Sequence, residues 1–132
     1  PEIDRAASTV ATQPLVRTAL LQRQRDFAAA TGGVVDGRDI GTVVFPQADV
    51  KLFVTASART RALRRHCQLH GDAMLSGVAL QRLIEEIEAR DQKDASRAVS
   101  PLRRAEDAIL LETDDLDAGA VRQKALSIVR NR

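Results

Sequence analysis

Residues 50–56 read VKLFVTA, a largely apolar run that is rich in β-branched side chains. Such a run is typical of a strand that is buried on both faces of a parallel sheet. Two other short segments carry a similar signal, VVD at residues 34–36 and AILLET at residues 108–113. The sequence therefore predicts three strands that are well separated along the chain.

Helical segments are predicted between and around these strands, mainly from apolar residues at helical spacing and from residues that suit helix ends. Pro14 suits the first turn of a helix, and Ser57 and Asp117 are favourable N-cap residues. Because strands alternate with helices, we expect an α/β fold with a parallel sheet, in a single domain over residues 1–132. The predicted helices cover residues 2–12, 14–30, 58–70, 78–95 and 118–130.

The composition favours neither a nucleic-acid nor a membrane partner. The 20 basic residues nearly balance the 18 acidic ones, and aromatic residues make up 2% of the chain, whereas proteins that bind single strands usually offer aromatic stacking platforms. No apolar run approaches the roughly 20 residues of a membrane span. The single cysteine, Cys67, excludes an internal disulfide and fits a reducing cytoplasm. His66 and His70 lie near it, but a fourth ligand at suitable spacing is lacking, so no metal site is predicted.

Charged residues directly follow the predicted strand at residues 34–36. They are Asp36 at its end, and then Arg38 and Asp39. In open parallel sheets ligands bind beyond the carboxyl ends of the strands, which would place these side chains at a ligand site. A plain β-turn is the alternative interpretation, because Asp and Gly both favour turns.

Two sets of charged residues stand out, and the first is a candidate for phosphate contacts, because a guanidinium group matches phosphate oxygens. In the first set, spacings of 4 and 3 residues place two arginines and a carboxylate on one helical face, provided that the helix extends that far. A weak ion pair is the alternative there, and a solvated basic face is the alternative for the second set. The first set is Arg90, Asp94 and Arg97, and the second is Arg61, Arg64 and Arg65.

Several motifs together resemble bacterial cytidylate kinases. The central one is DGRDIGTVVFP at residues 36–46, which is followed by VKLFVTAS at residues 50–57 and by an arginine-rich helix. Three further matches occur in the same order along the chain: PLVRTALLQRQR (14–25), IEARDQKDASRAVSPL (87–102) and AILLETDDLDAGAV (108–121). The resemblance covers essentially the whole chain, and the number of motifs makes it specific.

This resemblance implies a P-loop kinase-like parallel sheet with flanking helices and a lid region over about residues 58–100. The implied reaction is the transfer of the γ-phosphoryl group of ATP to CMP or dCMP, giving CDP or dCDP. The expected partners are therefore CMP or dCMP and ATP, and the expected cofactor is Mg²⁺, which accompanies ATP.

The resemblance also implies roles for single residues. An arginine can donate to the acceptors of cytosine and a carboxylate can accept from its amino group, whereas uracil would leave that carboxylate unpaired at a cost of about 1–3 kcal/mol. The expected CMP-binding residues are Ser8, Arg17 and Asp39 at the base, Arg38 at the phosphate and Asp94 near the ribose. The expected ATP-binding residues are Arg61 and Arg65, and the expected catalytic residues are Arg90, Arg97 and Asp36.

The family's P-loop, G-x-x-x-x-G-K-[ST], does not occur in residues 1–132, and the chain begins at Pro1 with Met74 as its only methionine. We therefore expect a truncated C-terminal portion that is inactive alone, or alternatively a non-catalytic nucleotide-binding or interaction remnant that lost the ATP site. The family's central strand would also be lacking. Residues 34–36 and 51–55 should then not be hydrogen-bonded to each other, and the lacking N-terminal segment or a second copy would complete the sheet.

Overall fold

The computed structural model describes residues 6, 10, 13–71, 73–96 and 101–132. Among these residues no helix is long and apolar enough to cross a membrane. In chain order the elements are helix α1 (Pro14–Thr31), a π-helical turn (Ile40–Val44), strand β1 (Leu52–Thr55), helix α2 (Ala58–His70), helix α3 (Gly77–Ala95), strand β2 (Ile109–Glu112) and helix α4 (Ala118–Arg130).

Strands β1 and β2 form a parallel pair, which confirms the predicted α/β class. Leu52 lies opposite Ile109 and Val54 opposite Leu111, and the side chain of Leu111 is fully buried. Helices α2 and α3 pack on each other and form the connection between the strands, as parallel pairing requires a long crossover.

The helix ends lie where their capping chemistry predicted them. The hydroxyl of Ser57 accepts the backbone N–H of Thr60 at the start of α2, and the carboxylate of Asp117 accepts that of Ala120 at the start of α4. Pro14 occupies the first turn of α1, which ends at Gly32 with a φ of 64°, a conformation that glycine adopts without strain. The predicted helix over residues 2–12 lies almost entirely outside the described residues.

The predicted strand at residues 34–36 is wrong. This segment is not part of the sheet, and Val34 is fully exposed. A strand needs a neighbour for its backbone N–H and C=O groups, and in the described part of the chain β1 pairs with β2 alone. The expectation that residues 34–36 and 51–55 share no backbone hydrogen bond is confirmed.

Helix α1 is attached to the π turn through a polar contact. Arg25 donates from Nε to the carbonyl of Val44 at 2.9 Å and from Nη2 to that of Val43 at 2.8 Å. None of the apolar residues of α1 is buried, and the largest are open to solvent, since Leu15 is 86% and Phe27 68% exposed. The helical pattern was thus predicted correctly, but in this structure it does not form a buried face.

Candidate active site

A cavity of about 530 Å³ lies beside β1. Every residue from Val50 to Ala56 lines it. Because alternate residues of a strand point to opposite faces, an unbroken series of lining residues indicates that the cavity borders the edge of β1 rather than one face. The other walls come from residues 35–38 and 40–41, from side chains of α2 and α3, and from parts of residues 102–113.

Arg17 and Asp39 form an ion pair through Nη2 and Oδ2, although they are 22 residues apart. The side chain of Asp39 is 14% exposed and that of Arg17 is 29% exposed. The π turn holds the backbone of Asp39, whose carbonyl accepts the N–H groups of Val43 at 2.8 Å and Val44 at 3.2 Å. The structure thus brings together two of the three residues expected at the base, whereas Ser8 lies outside the described residues.

Arg38 and Asp94 form a second pair, with Nη2 and Oδ2 2.9 Å apart. The side chain of Asp94 is only 4% exposed, and an ionised carboxylate at such a depth needs a charged partner. Asp94 also receives a backbone hydrogen bond at its carbonyl from Leu102, at 3.1 Å. Residues expected at the phosphate and the ribose of CMP are therefore in direct contact with each other.

Helix α3 ends at Ala95 with Ser96 as its C-cap, so it carries Arg90 and Asp94, and the shared face that would include Arg97 stays a prediction. Arg97 lies outside the described residues. Asp94 is buried against Arg38, while Arg90 is exposed.

Arg61 and Asp91 form a two-pronged pair on the cavity wall. Nη1 donates to Oδ1 at 2.9 Å and Nη2 to Oδ2 at 2.5 Å, and Nε donates to the carbonyl of Ala56 at 3.0 Å. The hydrogen bonds to Asp91 raise the pKa of Arg61, and those from Arg61 lower the pKa of Asp91. Both groups are therefore ionised at neutral pH.

The family model described as Cytidylate kinase matches residues 1–131. The chain belongs to the cytidylate kinase family. It is 58% identical to the cytidylate kinase of Granulibacter bethesdensis, over 100% of this chain and 62% of that protein. It is 55% identical to that of Stutzerimonas stutzeri, over 96% of this chain and 54% of that protein. The chain thus spans little more than half the length of these curated relatives.

The other residues that the family resemblance suggested lie in different surroundings. Asp36 is exposed and lines the cavity wall. Arg65 is exposed and is not among the lining residues. Arg64 donates to the hydroxyl of Thr113 at 3.0 Å, to the carbonyl of the same residue, and to the carbonyl of Leu116 at 3.0 Å. Arg64 therefore connects α2 to the segment after β2.

Sequence reasoning did not single out Lys51 and Asp91, which line the cavity. Lys51 lines the cavity with its side chain only 8% exposed, and its Nζ donates to Asp107 at 2.7 Å and to the carbonyl of Pro46 at 2.6 Å. A lysine inside a predicted buried strand was a usable signal, because a buried ammonium group needs partners. Asp91 is 30 residues from Arg61, and no local spacing relates the two.

The described part of the chain contains no group of three or more His, Cys, Asp or Glu side chains that could hold a metal ion. Mg²⁺ is usually bound through one or two carboxylates together with substrate phosphates, so a complete protein cage is not needed. The exposed carboxylate of Asp36 on the cavity wall fits that mode of binding.

Proposed function

We propose that this chain carries the CMP-binding part, and some of the ATP-facing residues, of an enzyme that transfers the γ-phosphoryl group of ATP to CMP or dCMP. The observation that carries the proposal is the Arg17–Asp39 pair, which is placed at the π turn in a chain of the cytidylate kinase family. The products of the proposed reaction would be ADP and CDP or dCDP. Residues 58–100 would form the lid of the single domain.

The pair presents the hydrogen-bonding groups that cytosine requires. The carboxylate of Asp39 accepts from the exocyclic amino group, while the guanidinium of Arg17 donates to the ring nitrogen and the carbonyl oxygen. Because Arg17 already contacts Asp39, the carboxylate is held in place before the nucleotide arrives. Ser8 would supply a third contact to the base.

The charge of the phosphate groups would be met by several arginines of this chain. Arg38 would bind the phosphate of CMP while Asp94, in contact with it, would orient the ribose. Arg61, with Arg65, would bind ATP, and Arg90 and Arg97 would stabilise the charge that develops during transfer. Mg²⁺ bound with ATP would neutralise phosphate charge in the reaction, and Asp36 would be this chain's carboxylate toward it.

A non-catalytic nucleotide-binding or interaction remnant is the alternative function. It differs from the kinase in one requirement, the motif G-x-x-x-x-G-K-[ST], which residues 1–132 do not contain. Reading the gene upstream of Pro1 distinguishes the two, because the kinase needs that motif there. In either case a further strand, from an N-terminal segment or from a second copy, would cover the open edge of β1.

The test compares CMP and UMP as phosphate acceptors, in a protein of the relatives' length that carries these residues. Asp39→Ala should lower kcat/KM for CMP at least about tenfold, the equivalent of about 1.4 kcal/mol, and should affect UMP far less. Asp49→Ala serves as a control, because Asp49 is exposed and does not belong to the Arg17–Asp39 pair. An equal loss for both acceptors would remove Asp39 from base recognition.

A further inference from the structure

Arg61 is held at the cavity wall by three of its own donors. Nε donates to Ala56, and Nη1 and Nη2 each donate to one oxygen of Asp91. A guanidinium group has five N–H bonds. Three are used in these contacts, which leaves two, one on each terminal nitrogen. Arg61 and Asp91 both line the cavity.

We propose that Asp91 is a positioning residue, which fixes the guanidinium of Arg61 so that its two remaining N–H donors meet the phosphate groups of ATP. This inference rests on the proposed function, in which Arg61 faces ATP. Asp91 itself does not touch the nucleotide. It acts by holding in advance a long side chain that would otherwise lose much rotamer freedom on binding.

The geometry favours positioning over a contribution to stability. The side chain of Arg61 is 37% exposed and that of Asp91 is 41% exposed, and ion pairs that are so open to water add little to folding. The arrangement is nevertheless specific, because the planar fork of the guanidinium meets both carboxylate oxygens and its third nitrogen is fixed by a backbone carbonyl.

The charges around Asp91 are compatible with phosphate binding. Besides Arg61, the positive charges of Arg38 and Arg90 act on Asp91 and help to lower its pKa. Arg38 is itself paired with Asp94, and the carboxylates of Glu88 and Asp114 act on Arg61, so the positive and negative charges at this wall are close to balanced. Attraction for phosphate at this wall would therefore depend on the two directed N–H donors of Arg61 rather than on an excess of positive charge.

The experiment measures the separate KM values for ATP and CMP, in a protein of the relatives' length, for Asp91→Ala, Arg61→Ala and the double variant. Asp91→Ala should raise KM for ATP about tenfold and leave KM for CMP within about twofold. The double variant should be no worse toward ATP than Arg61→Ala alone, because Asp91 acts through Arg61. Asp91→Glu, which keeps a carboxylate, should restore part of the loss. Glu86→Ala, an exposed acidic residue of the same helix, should have no effect.

The results also separate this inference from the proposed function. Equilibrium binding of ATP is measured by calorimetry without CMP, and Asp91→Ala should weaken it about tenfold. If CMP is not phosphorylated but ATP binding responds in this way, the proposed function fails and the positioning role stands. Three results would each overturn the positioning role. The first is an equal rise in both KM values together with a lower Tm, and the second is a double variant in which the losses of the two single variants multiply. The third is a lack of ATP binding by the unmodified protein.

Discussion

At the scale of single residues, α3 contains two aspartates with contrasting surroundings. Asp94 is nearly buried against Arg38, whereas the side chain of Asp91 is 41% exposed against Arg61. Both form ion pairs with arginines, but water screens only the second strongly. Burial therefore decides what each pair contributes to stability, and position beside the cavity decides what it contributes to function.

The two aspartates should differ in their effect on the free energy of unfolding. Asp94→Ala removes the buried partner of Arg38. We expect a loss of about 2–3 kcal/mol, which is less than for a fully buried pair because the remaining charge of Arg38 is partly open to water. Asp91→Ala should cost about 0.5 kcal/mol. Urea unfolding of the two variants measures both values. Equal losses would show that burial does not distinguish the pairs.

At the scale of elements, the start of α2 is joined to the end of β2 by Asp114. Its carboxylate accepts the backbone N–H of Ser57 at 3.0 and 3.1 Å and the hydroxyl of Thr60 at 2.7 Å. Arg64, one turn further along α2, donates back to Thr113 and Leu116. The helix that carries Arg61 is thus anchored to the sheet at its N-terminus.

Stability should depend on the ionisation of Asp114. The hydrogen bonds from Ser57 and Thr60 lower its pKa from the ordinary 3.8, so its contribution is present above that value and is lost as the pH falls through the lower folded pKa. Asp114→Asn should therefore unfold at a lower urea concentration than the unmodified protein at about pH 7, with a smaller difference at about pH 3. Asp115→Asn, at the exposed neighbouring position, is the matched control. A difference that does not change with pH would contradict an ionic role for Asp114.

At the scale of the whole molecule, the part of the chain that the structure describes has a two-stranded sheet, and the cavity borders the edge of β1. The relatives that match this chain are longer, since it covers 62% and 54% of two of them. An open strand edge leaves backbone donors and acceptors without protein partners, which favours the addition of another strand. We therefore expect the edge of β1 to be covered in a protein of the relatives' length.

The 132-residue chain alone should not phosphorylate CMP, because its sequence lacks the phosphate-binding motif G-x-x-x-x-G-K-[ST]. Phosphoryl transfer depends on positioning of the donor phosphates and on charge neutralisation, and that motif supplies both. A coupled assay for ADP with CMP, ATP and Mg²⁺ should show only background, whereas a protein of the relatives' length should turn over. Robust turnover by the verified 132-residue chain would refute this account of donor binding.

Much of the local structure could be predicted from the sequence because its causes are local. Ser57, Asp117 and Pro14 act on backbone groups within one helical turn, and the predicted bounds of the helices at 58–70 and 118–130 agree with the structure. The apolar runs at residues 50–56 and 108–113 likewise mark β1 and β2. The order of the motifs was also sufficient to indicate the family, which the comparison with relatives confirms.

Only the tertiary structure decided which charges meet. Arg61 and Asp91 are 30 residues apart and Lys51 and Asp107 are 56 apart, so their pairing depends on how α2, α3 and the sheet pack together. The same reason explains the wrong strand at residues 34–36, because a β-strand is defined by a neighbour that its own residues cannot supply. The sequence by itself determined the helix ends, the two paired strands and the family, since these follow from contacts within a few residues or from motif order. Contacts between distant parts of the chain decided which carboxylates the site arginines pair with. They also decided whether each apolar segment became a paired strand, a buried surface or an exposed one.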